Sequence, residues 1–189
     1  MLATLYLALK LIHVFAALAL FAAEGVGTVA LLQARRAKDF VGLGAALVLL
    51  KAIGPLGKLA PPLLLLTGLA LMVTTWGFRI AWADLALGIF LLVFVGSKRL
   101  DPPWQAALGR EMRAGQGPLT PAVRALLEDR GYSAWLALRS GLALGLVFLM
   151  TVKPGLLVGV AGVAALAALR VYLELRPKPR QPLAPKTAA

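Results

Sequence analysis

Runs of about 20 almost uncharged residues recur along the 189-residue chain, and they constrain its fold more than any other feature. An α-helix of about 20 residues is what crosses a hydrocarbon layer roughly 30 Å thick. The hydrophobic share of 60% lies well above the usual content of a soluble domain, about 45–50%. The sequence therefore predicts an all-α fold, an integral membrane helical bundle.

The apolar runs predict about five transmembrane helices. We place the spans at residues 2–32, 59–76, 80–96, 133–152 and 155–173, with interfacial helices at 40–53 and 121–130. Gly54-Pro55 is expected to end the first interfacial helix, because proline interrupts helical hydrogen bonding. Whether residues 40–53 enter the bilayer is left open. Residues 1–175 then form one bundle, and a basic, Pro-rich tail at 176–189 is expected to be disordered.

Basic residues between the spans are distributed unequally, which predicts the orientation of the bundle. With five spans, one side receives only Arg79 and Lys153. The other side receives Arg35, Arg36, Lys38, Lys98, Arg99, Arg110, Arg113, Arg124, Arg130, Arg176, Lys178, Arg180 and Lys186. The positive-inside rule then places the N-terminus outside and the C-terminus in the cytoplasm, across a bacterial cytoplasmic (inner) membrane.

The net charge of +12 is explained by the same distribution. Because the cations lie between and after the spans, we expect anionic lipid headgroups as their partners, and no nucleic acid. A homo-oligomer or a larger membrane complex stays open. The chain has no cysteine, which excludes disulfides, thiolate metal sites and a cysteine nucleophile. It also lacks a phosphate-binding glycine loop, an HExxH motif and a nucleophile elbow, so no enzyme class is predicted.

Ionisable residues inside the spans are the candidates for a functional site, because charge in a bilayer is costly. Lys10, His13 and Glu24 lie on one face of the first span at 100° per residue. Asp84 begins the third span, and Lys153 closes the fourth. We predict a buried polar network of Lys10, Glu24, Asp84 and Lys153. By depth, Lys10, His13, Asp84 and Lys153 should cluster in the outer leaflet with Met72 and Met150, whereas Glu24 lies apart.

Each of these residues has more than one interpretation. A pair of Lys10 with Asp84 would be a structural ion pair. His13 either forms hydrogen bonds within the bundle or ligates haem or a metal, with Met72 or Met150 as a second ligand. The methionines are otherwise packing residues. Glu24 is either a proton-relay carboxylate or a structural contact. No dedicated multi-ligand metal site is predicted.

Three segments resemble a known family in order and spacing: LYLALKLIHVFAALALF at the start, PPLLLLTGLALM in the second span and LGLVFLMTVKPG at the end of the fourth. They resemble uncharacterised bacterial predicted integral membrane proteins, related to copper-resistance D-type proteins and to the membrane haem-containing protoporphyrinogen oxidases. The resemblance implies that His13 binds haem b and that Lys153-Pro154 is the closing motif. Asp84 stands where those oxidases have a functional lysine, so their oxidase activity is not predicted.

Three functions follow from these observations. The first is a haem-binding, redox-linked membrane protein with His13 as axial ligand and Met72 or Met150 as partner. The second is a small transporter or ion-handling protein that uses the buried charges. The third is a non-catalytic accessory or assembly subunit of a membrane complex. The resemblance favours haem binding, whereas the small size and the lack of inverted repeats count against a transporter.

Overall fold

Six α-helices make up the chain within residues 2–176, the part that this computed structural model describes. Five helical segments are long and apolar enough to cross a membrane, which confirms the predicted all-α bundle of a multi-pass membrane protein. A π-helical turn, Met72–Trp76, extends the second helix. The predicted tail at 176–189 lies outside the described residues, apart from Arg176. The helices are α1 (Leu2–Arg36), α2 (Phe40–Leu71), α3 (Ala81–Ala114), α4 (Pro121–Leu127), α5 (Arg130–Val152) and α6 (Leu156–Leu175).

The helix α2 continues through Gly54 and Pro55, so the predicted end of a separate helix at this point is wrong. The cause is packing against α1, the most extensive helix–helix interface in the described chain. Contacts between α2 and α1 occur on both sides of Gly54-Pro55, at Leu50 before it and at Gly57 and Gly68 after it. Tertiary packing of this kind outweighs the local preference of proline and glycine.

Two further helix ends differ from the prediction. α3 continues to Ala114, well past the predicted end of its span at 96. α4 ends at Leu127 rather than at 130, because the side chain of Asp129 accepts a hydrogen bond from the Tyr132 N–H and caps α5. The candidate span that contains α2 has 36 residues and is therefore about 54 Å long, some 20 Å more than a bilayer core requires.

The helices form two antiparallel groups. α1 and α2 make one hairpin, α5 and α6 make the other, and α3 packs on the second. We call the "N-terminal end" the end that holds the start of α1, the α2–α3 connection and the α5–α6 turn. The "basic end" is the opposite end, where α1 finishes with Arg35 and Arg36 and where α4 lies.

Two apolar cores hold the helices together. At the basic end, α4 packs under α1, α2 and α3, with Leu43, Val123 and Leu127 almost completely buried. The other core joins α3, α5, α6 and Met72 of the π-helical turn. Glycines let α5 and α6 approach closely there: a Cβ on Gly141 would lie 2.6 Å from the Cα of Ala167. The two cores leave the middle of the bundle less densely packed.

Candidate functional site

A cavity of about 1740 Å³ separates the α1–α2 hairpin from α3 and the α5–α6 hairpin. It extends from Tyr6 and Lys153 near the N-terminal end to Arg35 and Glu174 near the basic end. Most of its wall is aliphatic or aromatic, and eight basic and three acidic side chains also line it. Ligand pockets commonly measure about 300–1,000 Å³, so this cavity can hold a large ligand.

His13 projects from α1 into this cavity, and its orientation is fixed by α2. Its Nδ1 atom lies 3.0 Å from the Thr67 hydroxyl oxygen, and Gly68 leaves room for the ring. The Thr67 hydroxyl oxygen lies 2.7 Å from the Leu63 carbonyl and 3.2 Å from the Leu64 carbonyl. When its proton is donated to one of these carbonyls, the Thr67 oxygen accepts from His13, and the imidazole proton is then on Nδ1.

The other ring nitrogen, Nε2, then carries the lone pair of the neutral imidazole. The ring also forms a hydrogen bond with the backbone of Leu64, and the side chain is partly buried. His13 lines the cavity. A histidine whose Nδ1–H is held by a protein acceptor while Nε2 is free has the arrangement of a typical ligand.

The two candidate methionines both line the cavity, but in different ways. Met72 is 4% exposed and packs in the core with Trp82 and Leu149. It comes from α2, the helix that already contacts His13. Met150 is 36% exposed and comes from α5, on the other side of the cavity. Glu24 binds Arg139, and both His13 and Met150 lie 11 residues from this pair toward the N-terminal end, so counting about 1.5 Å per residue places His13 and Met150 at similar depths.

Glu24 takes part in a charged network deeper in the cavity. Arg139 of α5 binds Glu24 of α1 at 3.0 Å and Asp101 of α3 at 2.7 Å. Asp101 also accepts from the indole N–H of Trp135, and Ser97 lies within reach of Arg139. The single guanidinium thus joins three helices, including α1 and α5, which otherwise touch little. Such a network holds the two helix groups together across the cavity.

A second charged link closes the basic end. Arg35 of α1 binds Glu174 of α6 at 2.8 Å and also donates to the Ser133 hydroxyl and to the Leu127 carbonyl. Arg124 of α4 donates to the Arg35 and Ala37 carbonyls, at the end of α1. These bonds satisfy carbonyls that a helix end leaves without partners. The basic end is therefore tied together, whereas the N-terminal half of the cavity has no comparable link among the described residues.

No ion pair joins the four residues of the predicted buried network to one another within residues 2–176. Lys10 lines the cavity but is exposed, and its ammonium lies 5.8 Å from the Tyr6 ring. Lys153 is also exposed and lies 5.5 Å from the Trp82 ring. Asp84 lies in the first turn of α3, where a negative charge complements the helix dipole. It does not line the cavity, and no ion pair joins it to Lys10 within residues 2–176.

Sequence reasoning missed the partners of the site residues. Asp101 lies beyond the predicted end of the third span at 96 and was not a candidate, and the contact between Thr67 and His13 was not predicted. Arg170, inside the last apolar span, was also passed over. One signal was available in the sequence. Glu24, Arg139 and Arg170 are charged groups inside apolar runs, where an unpaired charge is energetically costly, so opposite charges in separate spans are expected to pair. Thr67 lies five residues before Met72 and carried no such signal.

Comparison with protein-family models, with curated proteins and with solved structures found no match. The family resemblance of the three sequence segments therefore stays a prediction. Within the described residues, no group of three or more histidine, aspartate or glutamate side chains could hold a metal ion. What the chain offers is a large apolar cavity with one accessible imidazole.

Proposed function

We propose that this protein binds haem b within the membrane, with Nε2 of His13 as an axial ligand to the iron, in a redox-linked role. The observation that carries the proposal is the state of His13. Its Nδ1 atom lies 3.0 Å from the Thr67 hydroxyl oxygen, and its ring lines a cavity of about 1740 Å³, an arrangement that leaves Nε2 as the ligand when the ring proton is on Nδ1. Imidazole is a common axial ligand of haem iron.

The composition of the cavity wall also fits a haem. Its aliphatic and aromatic side chains suit a flat apolar macrocycle, and two of its exposed lysines, Lys10 and Lys153, suit carboxylates at the edge of one. Lys10 lies one turn from His13 on the same face of α1, about 4.5 Å along the axis. A haem bound there would supply one-electron redox chemistry, while the chain holds it, orients it and excludes water.

Met150 is the better placed of the two methionines for the second axial position. It comes from α5, across the cavity from the α1–α2 hairpin, and it is exposed enough to move. Met72 is fixed in the core beside Trp82. We therefore expect Met150→Leu to change the spectrum of the reduced haem and to lower its reduction potential, because thioether ligation raises that potential. Met72→Leu is the matched control and should leave both unchanged.

We also propose that the protein lies in a bacterial cytoplasmic membrane with its basic end toward the cytoplasm. The unequal distribution of Lys and Arg supports this orientation. The resemblance of the opening and closing segments to haem-containing membrane proteins agrees with haem binding at His13. A transporter is less well supported, because Glu24 is held by Arg139 and lies about 16 Å along α1 from His13, while Asp84 lies off the cavity.

The test is an absorption spectrum of protein purified in mild detergent from haem-replete cells, oxidised and then reduced with dithionite. We expect a Soret band and α and β bands that sharpen on reduction. His13→Ala should abolish them, since His13 is the only histidine of the chain. Thr67→Val removes the acceptor of the Nδ1 proton and should weaken haem retention roughly 10–100-fold.

Helicity and gel-filtration behaviour provide the control for folding in every variant. A featureless spectrum from well-folded wild-type protein that has been supplied with haem would refute the proposal. An accessory subunit would then be the better description, and it would be recognised by co-purification with partner proteins.

A further inference from the structure

Arg170 is a cation without an acidic partner inside the apolar part of α6. Its Nε–H donates to the Ser140 hydroxyl oxygen at 3.1 Å, and no ion pair involves it within residues 2–176. The Ser140 hydroxyl donates in turn to the Ala137 carbonyl, so its oxygen is available as the acceptor. Arg170 lines the cavity, and no residue within 2–176 accepts a hydrogen bond from its two terminal NH₂ groups.

The cavity as a whole is electropositive. Among the described residues, eight basic and three acidic side chains line it. All three acidic side chains are already bound: Glu24 and Asp101 by Arg139, and Glu174 by Arg35. A cation held half-buried in an apolar span is costly unless an anion accompanies it. Because the basic side chains of the cavity outnumber the acidic ones, we expect an anionic ligand near Arg170.

A way into the cavity exists at the same level. A recess of about 190 Å³ lies between α1 and α5 and is lined by Phe21, Glu24, Gly25, Thr28, Ser140, Ala143 and Leu144. Most of these residues also line the main cavity, so the recess adjoins it. On its rim, Gly25 and Leu144 are exposed on the surface that would face lipid. The recess thus leads from the lipid-facing surface to Ser140, the residue that holds Arg170.

We propose that an anionic phospholipid of the surrounding bilayer enters between α1 and α5 and binds with its phosphate on the guanidinium of Arg170. The acyl chains then occupy the apolar part of the cavity. Arg170 lies five residues before the end of α6, about 8 Å from the basic end, which is a depth that a lipid phosphate can reach. Guanidinium and phosphate match in charge and in paired hydrogen bonds.

The proposed phosphate position on Arg170 is separate from the proposed iron ligand His13, although both line the same cavity. Ser140 follows Arg139, which binds Glu24, so Arg170 lies at the level of Glu24. Along α1, Glu24 is 11 residues from His13, or about 16 Å. The lipid proposal does not depend on His13, and its failure would leave the haem proposal untouched.

The experiment is native mass spectrometry of the detergent-purified full-length chain, titrated with phosphatidylglycerol. We expect one tightly bound phosphatidylglycerol and at least tenfold weaker binding of phosphatidylcholine, whose headgroup has no net charge. Arg170→Gln should weaken phosphatidylglycerol binding roughly 10–100-fold. Ser140→Ala, which releases Arg170 from its anchor, should weaken it less. Arg170→Lys, which keeps the charge, should retain part of the affinity.

Arg176→Gln is the matched control: it removes the same charge from an exposed position just past the end of α6 and should change nothing. The titrations are repeated in His13→Ala, where haem is absent, and should give the same result. Equal binding by Arg170→Gln and Arg176→Gln would overturn the proposal, as would equal binding of the two lipids. Displacement of the lipid by millimolar glycerol phosphate would instead identify a site for a free phosphate.

Discussion

Arg139 is the residue whose loss should damage the bundle most, because it links α1, α3 and α5 across the cavity. Arg139→Met keeps the length and the apolar stem of the side chain but removes the guanidinium. Glu24 and Asp101 would then remain as carboxylates with no cation, where Arg139 had bound both at 3.0 and 2.7 Å. No other described residue pairs with either carboxylate.

The magnitude follows from the exposure of the three side chains, which is 17% for Arg139, 27% for Glu24 and 16% for Asp101. Breaking a fully buried ion pair by removing one partner costs about 3–5 kcal/mol. Partial exposure screens part of this, so we expect a loss of about 2–4 kcal/mol in the free energy of unfolding. A neutral triple variant, with Glu24→Gln and Asp101→Asn added, should recover most of the loss, because no charge is then left unpaired.

The assay is reversible unfolding in mixed micelles titrated with sodium dodecyl sulfate, followed by far-UV circular dichroism. Arg110→Met serves as the control, since Arg110 is exposed in α3 and its loss should change the free energy by less than about 0.5 kcal/mol. A loss below about 1 kcal/mol for Arg139→Met would refute the reasoning. So would a triple variant as unstable as the single one, because the damage would then come from lost packing rather than from unpaired charge.

Two further predictions use the same titration. Gly141→Ala should lower the free energy of unfolding by about 1 kcal/mol or more, because the new Cβ would lie 2.6 Å from the Ala167 Cα. Gly88→Ala is the control: its Cβ would have no atom within 4 Å, so it should raise the free energy of unfolding by about 0.5–1 kcal/mol. Equal effects of the two substitutions would contradict the close α5–α6 contact. Asp39→Ala should lower the free energy of unfolding by about 1 kcal/mol, because the Asp39 carboxylate accepts a hydrogen bond from the Gly42 N–H at 2.7 Å and caps α2. An unchanged midpoint of the unfolding titration would mean that this cap does not stabilise the helix.

The number of spanning helices could be predicted from the sequence because it depends on local properties. Each apolar run is long enough to cross a bilayer by itself, and α4 begins at residue 121 as predicted. The break at Gly54-Pro55 was predicted wrongly for the same reason. The Gly-Pro sequence contains no information about α1, and it is the packing of α1 along α2 that keeps α2 continuous.

The candidate site could be predicted only in part. Periodicity placed His13 and Glu24 on one face of α1, and both line the cavity. Depth counting grouped Lys10 with Asp84, but depth does not determine which face of α3 points inward, and Asp84 lies off the cavity. The partners Thr67 and Arg139 come from other helices, 54 and 115 residues away in sequence. Such pairings depend on how the helices are rotated against one another.

The central claim is that His13 itself ligates haem iron, and chemical rescue of His13→Gly tests it most directly. The substitution removes the only imidazole of the chain and leaves a space beside Gly68 that free imidazole can fill. We predict that the variant purifies without a Soret band and that haem added with millimolar imidazole restores the spectrum of the wild type. Full haem retention by His13→Gly without imidazole would show that another residue holds the iron and would contradict the account.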